Sequence, residues 1–200
     1  SMGGGALDFV EGVQNTTVEK NIFQGIGGNG IFAGATSYSP NDLSTEEVTF
    51  IKNVKVENNY FNEIGWQEYS SCAVILNYAV DSTISHNTIN NVKYSAISVG
   101  WGWQKTELPF LQNIEISYNK VTNGNAFLND GGAIYLVGCQ PNSVVKNNYI
   151  DHCYNTVYQF PQDQYDKEQV KWATAGIYLD QGVGGTDTSN KVQVIDNVVV

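Results

Sequence analysis

Apolar and polar residues alternate along this chain in a phrase that returns six times: an aliphatic residue, two variable residues, an asparagine, one variable residue, then an aliphatic or aromatic residue. The copies are Val18–Phe23 around Asn21, Val56–Phe61 around Asn59, Ile84–Ile89 around Asn87, Ile116–Val121 around Asn119, Val145–Ile150 around Asn148 and Val194–Val199 around Asn197. Period-two alternation predicts a strand with one buried face at each copy. Self-similarity at a recurring period predicts stacked coils. The expected fold is therefore all-β, a right-handed parallel β-helix of about six coils occupying residues 13–200.

A second strand is predicted after each of the first five copies. Aligning them gives two inward columns: Ile31, Val74, Ile97, Ile134 and Ile177, then Ala33, Leu76, Val99, Leu136 and Leu179. The recurrent asparagine reads as structural, its amide bonding to the asparagines of adjacent coils or to turn backbone in a ladder. Spacings between these asparagines are 38, 28, 32, 29 and 49 residues, and the excess over a bare coil marks loops. Three loops are long (residues 35–47, 101–112 and 154–175), and all adjoin the second strand. Long excursions from a rigid scaffold tend to carry function, which makes the outer face of the second strand the expected functional surface.

Residues 1–12 read as a tag-like lead and the start of the first coil. Val200 directly follows the last asparagine strand, where a solenoid needs a polar cap. A fragment of a longer protein, or end-to-end self-association through an uncapped coil, is the expectation.

Charge narrows the partners. The chain has ten lysines, no arginine, twenty acidic residues and a formal charge of −10. This argues against nucleic acid, which is bound through clustered cations, and against polyuronates, whose carboxylates arginine clamps in bidentate fashion. No apolar run approaches the ~20 residues that cross a bilayer, so no membrane partner is expected. Cys72, Cys139 and Cys153 fit neither a disulfide framework nor a metal spacing and read as core or turn residues. No nucleotide or zinc motif appears, so no cofactor and no metal are expected.

In the phrases Asn129-Asp130-Gly131-Gly132-Ala133-Ile134-Tyr135, Gly176-Ile177-Tyr178-Leu179-Asp180-Gln181-Gly182 and Ser98-Val99-Gly100-Trp101-Gly102-Trp103, the chain resembles the right-handed parallel β-helix proteins of carbohydrate-active systems. It is most similar to glycoside hydrolases of family 141, with the family 120 β-xylosidases as relatives. The resemblance covers nearly the whole chain as a fold. It implies catalytic carboxylates at Asp130 and Asp180, a carbohydrate substrate, and a secreted or periplasmic parent protein.

Glycoside hydrolysis needs two carboxyl groups flanking the scissile bond. Asp180 follows the second strand and points outward beside the Trp101 loop, although an Asp before Gln-Gly also suits an ordinary turn. Asp130 lies four residues before its aligned isoleucine, and seven extended positions span roughly 20 Å. Either the Asp130-Gly131-Gly132 run bends to close that gap, or Asp130 merely caps a turn and the second carboxylate is Asp163, Asp166 or Glu168. Glu63, Asn91, Asn123 and His152 form a polar column where the first strand ends, placing His152 one rung from Asp130 as a candidate to accompany a carboxylate acid and bind substrate, or as a simply exposed turn residue. Trp101 and Trp103, with Tyr135 and Tyr178, offer aromatic faces for stacking on sugars, or a lid packed over the second strand. The leading reading is a glycosidase for a neutral glycan; the rival is a non-catalytic carbohydrate-binding or structural β-helix segment.

Overall fold

The computed structural model describes residues 2–10, 12–34, 50–101, 111–128, 130–153, 174–183 and 191–200. Trp103, Asp163, Asp166, Glu168 and most of the three long loop segments lie outside them. The described residues are all-β, and every pair of named strands is parallel. Numbered in chain order, one sheet runs β2 (Gln14–Glu19), β5 (Ile51–Glu57), β9 (Thr83–Ser85), β12 (Glu115–Ser117), β15 (Val144–Lys146) and β18 (Gln193–Ile195), with β8 (Ala79–Val80) also on β5. A second sheet holds β3 (Ile22–Ile26), β6 (Tyr60–Ile64), β10 (Thr88–Val92), β13 (Lys120–Thr122), β16 (Tyr149–Asp151) and β19 (Val198–Val199). The third holds β1 (Leu7–Phe9), β4 (Ile31–Ala33), β7 (Val74–Leu76), β11 (Ile97–Val99), β14 (Gly132–Leu136) and β17 (Ala175–Leu179). Three parallel sheets visited in turn make a β-helical solenoid.

The asparagine phrase is two strands and a corner, where alternation alone predicts one strand. In each copy the residue before the asparagine (Lys20, Asn58, His86, Tyr118, Asn147, Asp196) has a left-handed backbone with φ of 53–58°. The strand ends there, and the next sheet begins just after the asparagine. The corner works because its inside is polar but satisfied. Asn87 Oδ1 accepts from the Asn59 backbone N–H at 2.9 Å and from Asn59 Nδ2 at 3.1 Å, while its own Nδ2 donates to the Val56 carbonyl at 2.9 Å and Asn119 Oδ1 at 3.0 Å. The same bonds link Asn21, Asn59, Asn119, Asn148 and Asn197, so the ladder expected from sequence is present.

Both inward columns pair in the expected register, Ile31–Val74–Ile97–Ile134–Ile177 and Ala33–Leu76–Val99–Leu136–Leu179. Leu7 and Phe9 of β1 extend them by one rung. Stacking at ~4.8 Å buries the inner members of each column against their equivalents above and below. At β17, the edge strand of the sheet, Ile177 is only partly buried and Leu179, expected in the core, is 47% exposed because no described strand covers it. Ile31, Val74, Ile97 and Ile134 are fully buried. None of the three cysteines is in a disulfide: Cys72 and Cys139 are buried, and Cys153 is partly so.

The third sheet's strands are followed by Gly34, Asn77, Gly100, Val137 and Asp180, each donating its N–H across one rung, and at Gly34 and Gly100 the backbone turns through a positive φ. Gly100 has φ +104°, and a Cβ there would lie 1.9 Å from the Val137 carbonyl oxygen. Gly100→Ala is therefore expected to cost roughly 2–3 kcal/mol, combining backbone strain with a clash against rigid main chain. Urea unfolding measures this, and a loss below about 1 kcal/mol would show that the bend relaxes freely.

Candidate functional site

On the outer face of the third sheet the column opposite the core reads Asp8, Phe32, Ile75, Ser98, Tyr135 and Tyr178. Period-two geometry sends these side chains away from the isoleucines. Tyr135 and Tyr178 occupy adjacent rungs, and their rings stack with centroids 5.5 Å apart and planes 28° apart. Each ring reaches the carboxylate that belongs to the other's rung. The Tyr135 hydroxyl donates to Asp180 Oδ2, and the Tyr178 hydroxyl donates to Asp130 Oδ1 at 3.2 Å. Gln181 N–H adds a 2.7 Å bond to Asp180 Oδ1. The structure thus gathers Asp130 and Asp180 around one stacked tyrosine pair.

The bend that brings Asp130 to this face is made by Asp130 itself, whose φ is +55°. Its two glycines serve close approach. A Cβ on Gly131 would lie 2.6 Å from Tyr94 Cε2, and one on Gly132 would lie 2.8 Å from the Ala175 carbonyl. The space beside Gly131 is filled by Tyr94, whose hydroxyl donates to the Asp130 carbonyl oxygen at 2.6 Å and whose ring is tilted against Tyr135 at 6.4 Å. Periodicity did not single out Tyr94. The available signal was its place two residues after the predicted strand, in the same corner that carries Asp130 one coil later.

The other predicted residues separate. Trp101 is half-buried and packs against the edge of the core. His152 has φ +60°, is half-exposed, and presents Nδ1 to its own neighbour Asp151. The polar column is real as a backbone feature: Glu63, Asn91, Asn123 and His152 all adopt left-handed φ between 54° and 60° at the corner after the second sheet. Among the described residues, no group of three His, Cys, Asp or Glu side chains is placed to hold a metal ion.

Burial sets the proton chemistry of this face. Tyr178 is pushed up to about 12, first by desolvation and then by the charge and hydrogen bond of Asp130 and the charge of Asp180. Tyr94 is raised too, chiefly by burial, then by Cys72 and both aspartates. Burial also lifts Cys72 to about 12 and Cys153 to about 11. Both phenols consequently stay protonated as donors at ordinary pH. All four groups hold their protons more tightly in the folded chain. Their contribution to stability is complete below the ordinary thiol and phenol values of 9.0 and 10.0; that of the two thiols and Tyr178 is lost as pH rises through 11 to 12, and that of Tyr94 only above this window. Circular dichroism is expected to show alkaline unfolding across that window, with a shallower pH dependence in Cys72→Ala. A stability constant from pH 8 to 12 would contradict it.

With this geometry in place, comparison with known proteins gives one informative likeness. A solved structure named "Glycoside hydrolase" superposes on 97% of this chain with a TM-score of 0.75 and 26% sequence identity. The chain spans 34% of that protein's length. No family model and no curated protein matches the chain. The chain therefore shares the fold of a carbohydrate-active enzyme.

Proposed function

We propose that this chain is the β-helix of a glycoside hydrolase acting on a neutral glycan, with Asp130 and Asp180 as the two carboxylates. The reading includes a right-handed coil and kinship with families 141 and 120. One observation carries it: two carboxylates from adjacent rungs are held by hydroxyls of a single stacked aromatic pair, in a chain whose fold is similar to that of a glycoside hydrolase. Asp180 already accepts two donors, which suits a base or nucleophile, and Asp130 then supplies the proton to the leaving oxygen. Tyr135, which is buried, and Tyr178 position the carboxylates, and the partly exposed Tyr178 ring meets the sugar with Trp101 at the rim.

Hydrolysis of aryl glycosides and of neutral polysaccharides by the purified chain tests the reading. Release of aglycone or reducing ends from at least one is expected, and none from polyuronates. A specific observation also favours the non-catalytic reading. Both Asp180 oxygens are used inside the protein, one of them by the next backbone N–H as in a turn. Under that reading Asp180→Asn alters no catalytic rate.

A further inference from the structure

A cleft lies at the corner between the second and third sheets. It encloses about 430 Å³ and is lined by Glu63, Trp66, Asn91, Lys93, Asn123 and Ala126. That volume is within the range of small-ligand sites. Trp66 is 48% exposed, which is unusual for the largest apolar side chain on a surface with a well-filled core beneath it. The Lys93 ammonium sits 4.3 Å from the Trp66 ring centroid and 5.6 Å from that of Phe127. Phe127 in turn packs edge-on to Tyr69 at 4.7 Å. The indole is thus braced by a cation, which holds its orientation before any ligand arrives.

The polar half of the cleft is equally ordered. Asn123 Nδ2 donates to Asn91 Oδ1 at 2.9 Å, Asn91 Nδ2 to Asn62 Oδ1 at 2.9 Å, Asn62 Nδ2 to Gln24 Oε1 at 3.1 Å, and Gln24 Nε2 to Glu63 Oε2 at 2.7 Å. This relay fixes the amides and leaves Asn123 Oδ1, Glu63 Oε1 and the Lys93 ammonium open to an incoming group among the described residues. Acceptors, a donor and an aromatic face, with one positive and one negative charge offsetting each other, match the hydroxyls and C–H face of an uncharged sugar. Successive lining residues also stand on successive rungs of the solenoid.

We propose that this cleft is a binding subsite for a neutral pyranose unit of a glycan, stacked on Trp66 and hydrogen-bonded by Asn123, Glu63 and Lys93. It rests on the glycan reading above, yet it uses none of the residues of the carboxylate site. The two are joined through the chain, because Lys93 precedes Tyr94 and Ala126 lies in the same corner as Asp130.

Calorimetric titration of Asp180→Asn with xylohexaose, cellohexaose and mannohexaose, repeated with Trp66→Ala added, provides the test. Trp66→Ala is expected to weaken binding of the preferred hexasaccharide by about tenfold, and Trp66→Phe to stay within about threefold. Thermal unfolding should be unchanged in both, since Trp66 is an exposed side chain. Equal hexasaccharide affinity with and without Trp66 overturns the subsite, as does failure of all three sugars to bind at millimolar concentration. Trp66-dependent binding without hydrolysis of any aryl glycoside keeps the subsite and removes the hydrolase reading instead.

Discussion

Asp180→Asn is expected to lower kcat/KM on aryl glycosides by about 10³-fold, near 4 kcal/mol of transition-state stabilisation, with little change in stability. Stability should survive because the substitution conserves shape and most bonds. An amide oxygen still accepts the Gln181 N–H, and the Tyr135 hydroxyl can rotate to accept from the new amide nitrogen. What disappears is the negative charge facing the sugar. Asp130→Asn should be just as harmless to the fold, since asparagine tolerates the φ of +55° found there and its amide oxygen keeps the Tyr178 bond. Its kinetic signature should differ. Without the acid, rates fall steeply for poor leaving groups and far less for dinitrophenyl glycosides, which need no proton. If Asp180→Asn hydrolyses the panel at the native rate, the pair is not the catalytic dyad. If both variants lose activity for every leaving group alike, the acid role of Asp130 fails.

How these residues came to light separates local patterns from tertiary ones. The core columns were legible because each position obeys period two and each rung repeats the last, so Ile97 predicts Ile134 without any knowledge of the space between. The corner inside the asparagine phrase was not legible. Its flanking apolar positions stand five apart, an odd spacing that one flat strand cannot keep on one face, but the residue types at the turn (Lys20, His86, Tyr118) give no glycine-like signal to mark it. Asp130 and Asp180 were readable as candidates from their phrases, but their meeting depends on two tyrosines each reaching to the neighbouring rung, a geometry no spacing encodes. Trp66 and Lys93 were missed for a related reason. They lie in corner segments of unequal length (residues 65–73 and 93–96), where the repeat loses its register and the ruler no longer applies.

Asn87→Ala is expected to destabilise the fold by roughly 3–5 kcal/mol, a large share of the 5–15 kcal/mol typical of a whole domain. Asn87 is buried at 1% exposure, so no water replaces what the truncation removes. The Asn59 backbone N–H, one Asn59 amide hydrogen and the Val56 carbonyl would each lose their partner, at about 1–3 kcal/mol for a buried group left unpaired. The neighbour on the other side suffers less, because Asn119 Oδ1 still accepts the Asn87 backbone N–H at 3.0 Å. Asn21 is the internal control. It stands at the end of the ladder, is exposed, and gives its side-chain donors only to Asn59 Oδ1 and the Glu19 carbonyl, so Asn21→Ala should cost about 1 kcal/mol or less. Asn87→Asp tests the polarity of the ladder itself. A carboxylate there would face two acceptors, the Val56 carbonyl and Asn119 Oδ1, in place of giving each a hydrogen. Its folded pKa would be raised, so this variant should gain stability as pH falls and lose it as pH rises through that value, opposite to a paired surface carboxylate. Urea midpoints for the three variants decide the matter. Equal losses for Asn21→Ala and Asn87→Ala would mean that the ladder contributes through the exposed corner backbone and not through its buried amides.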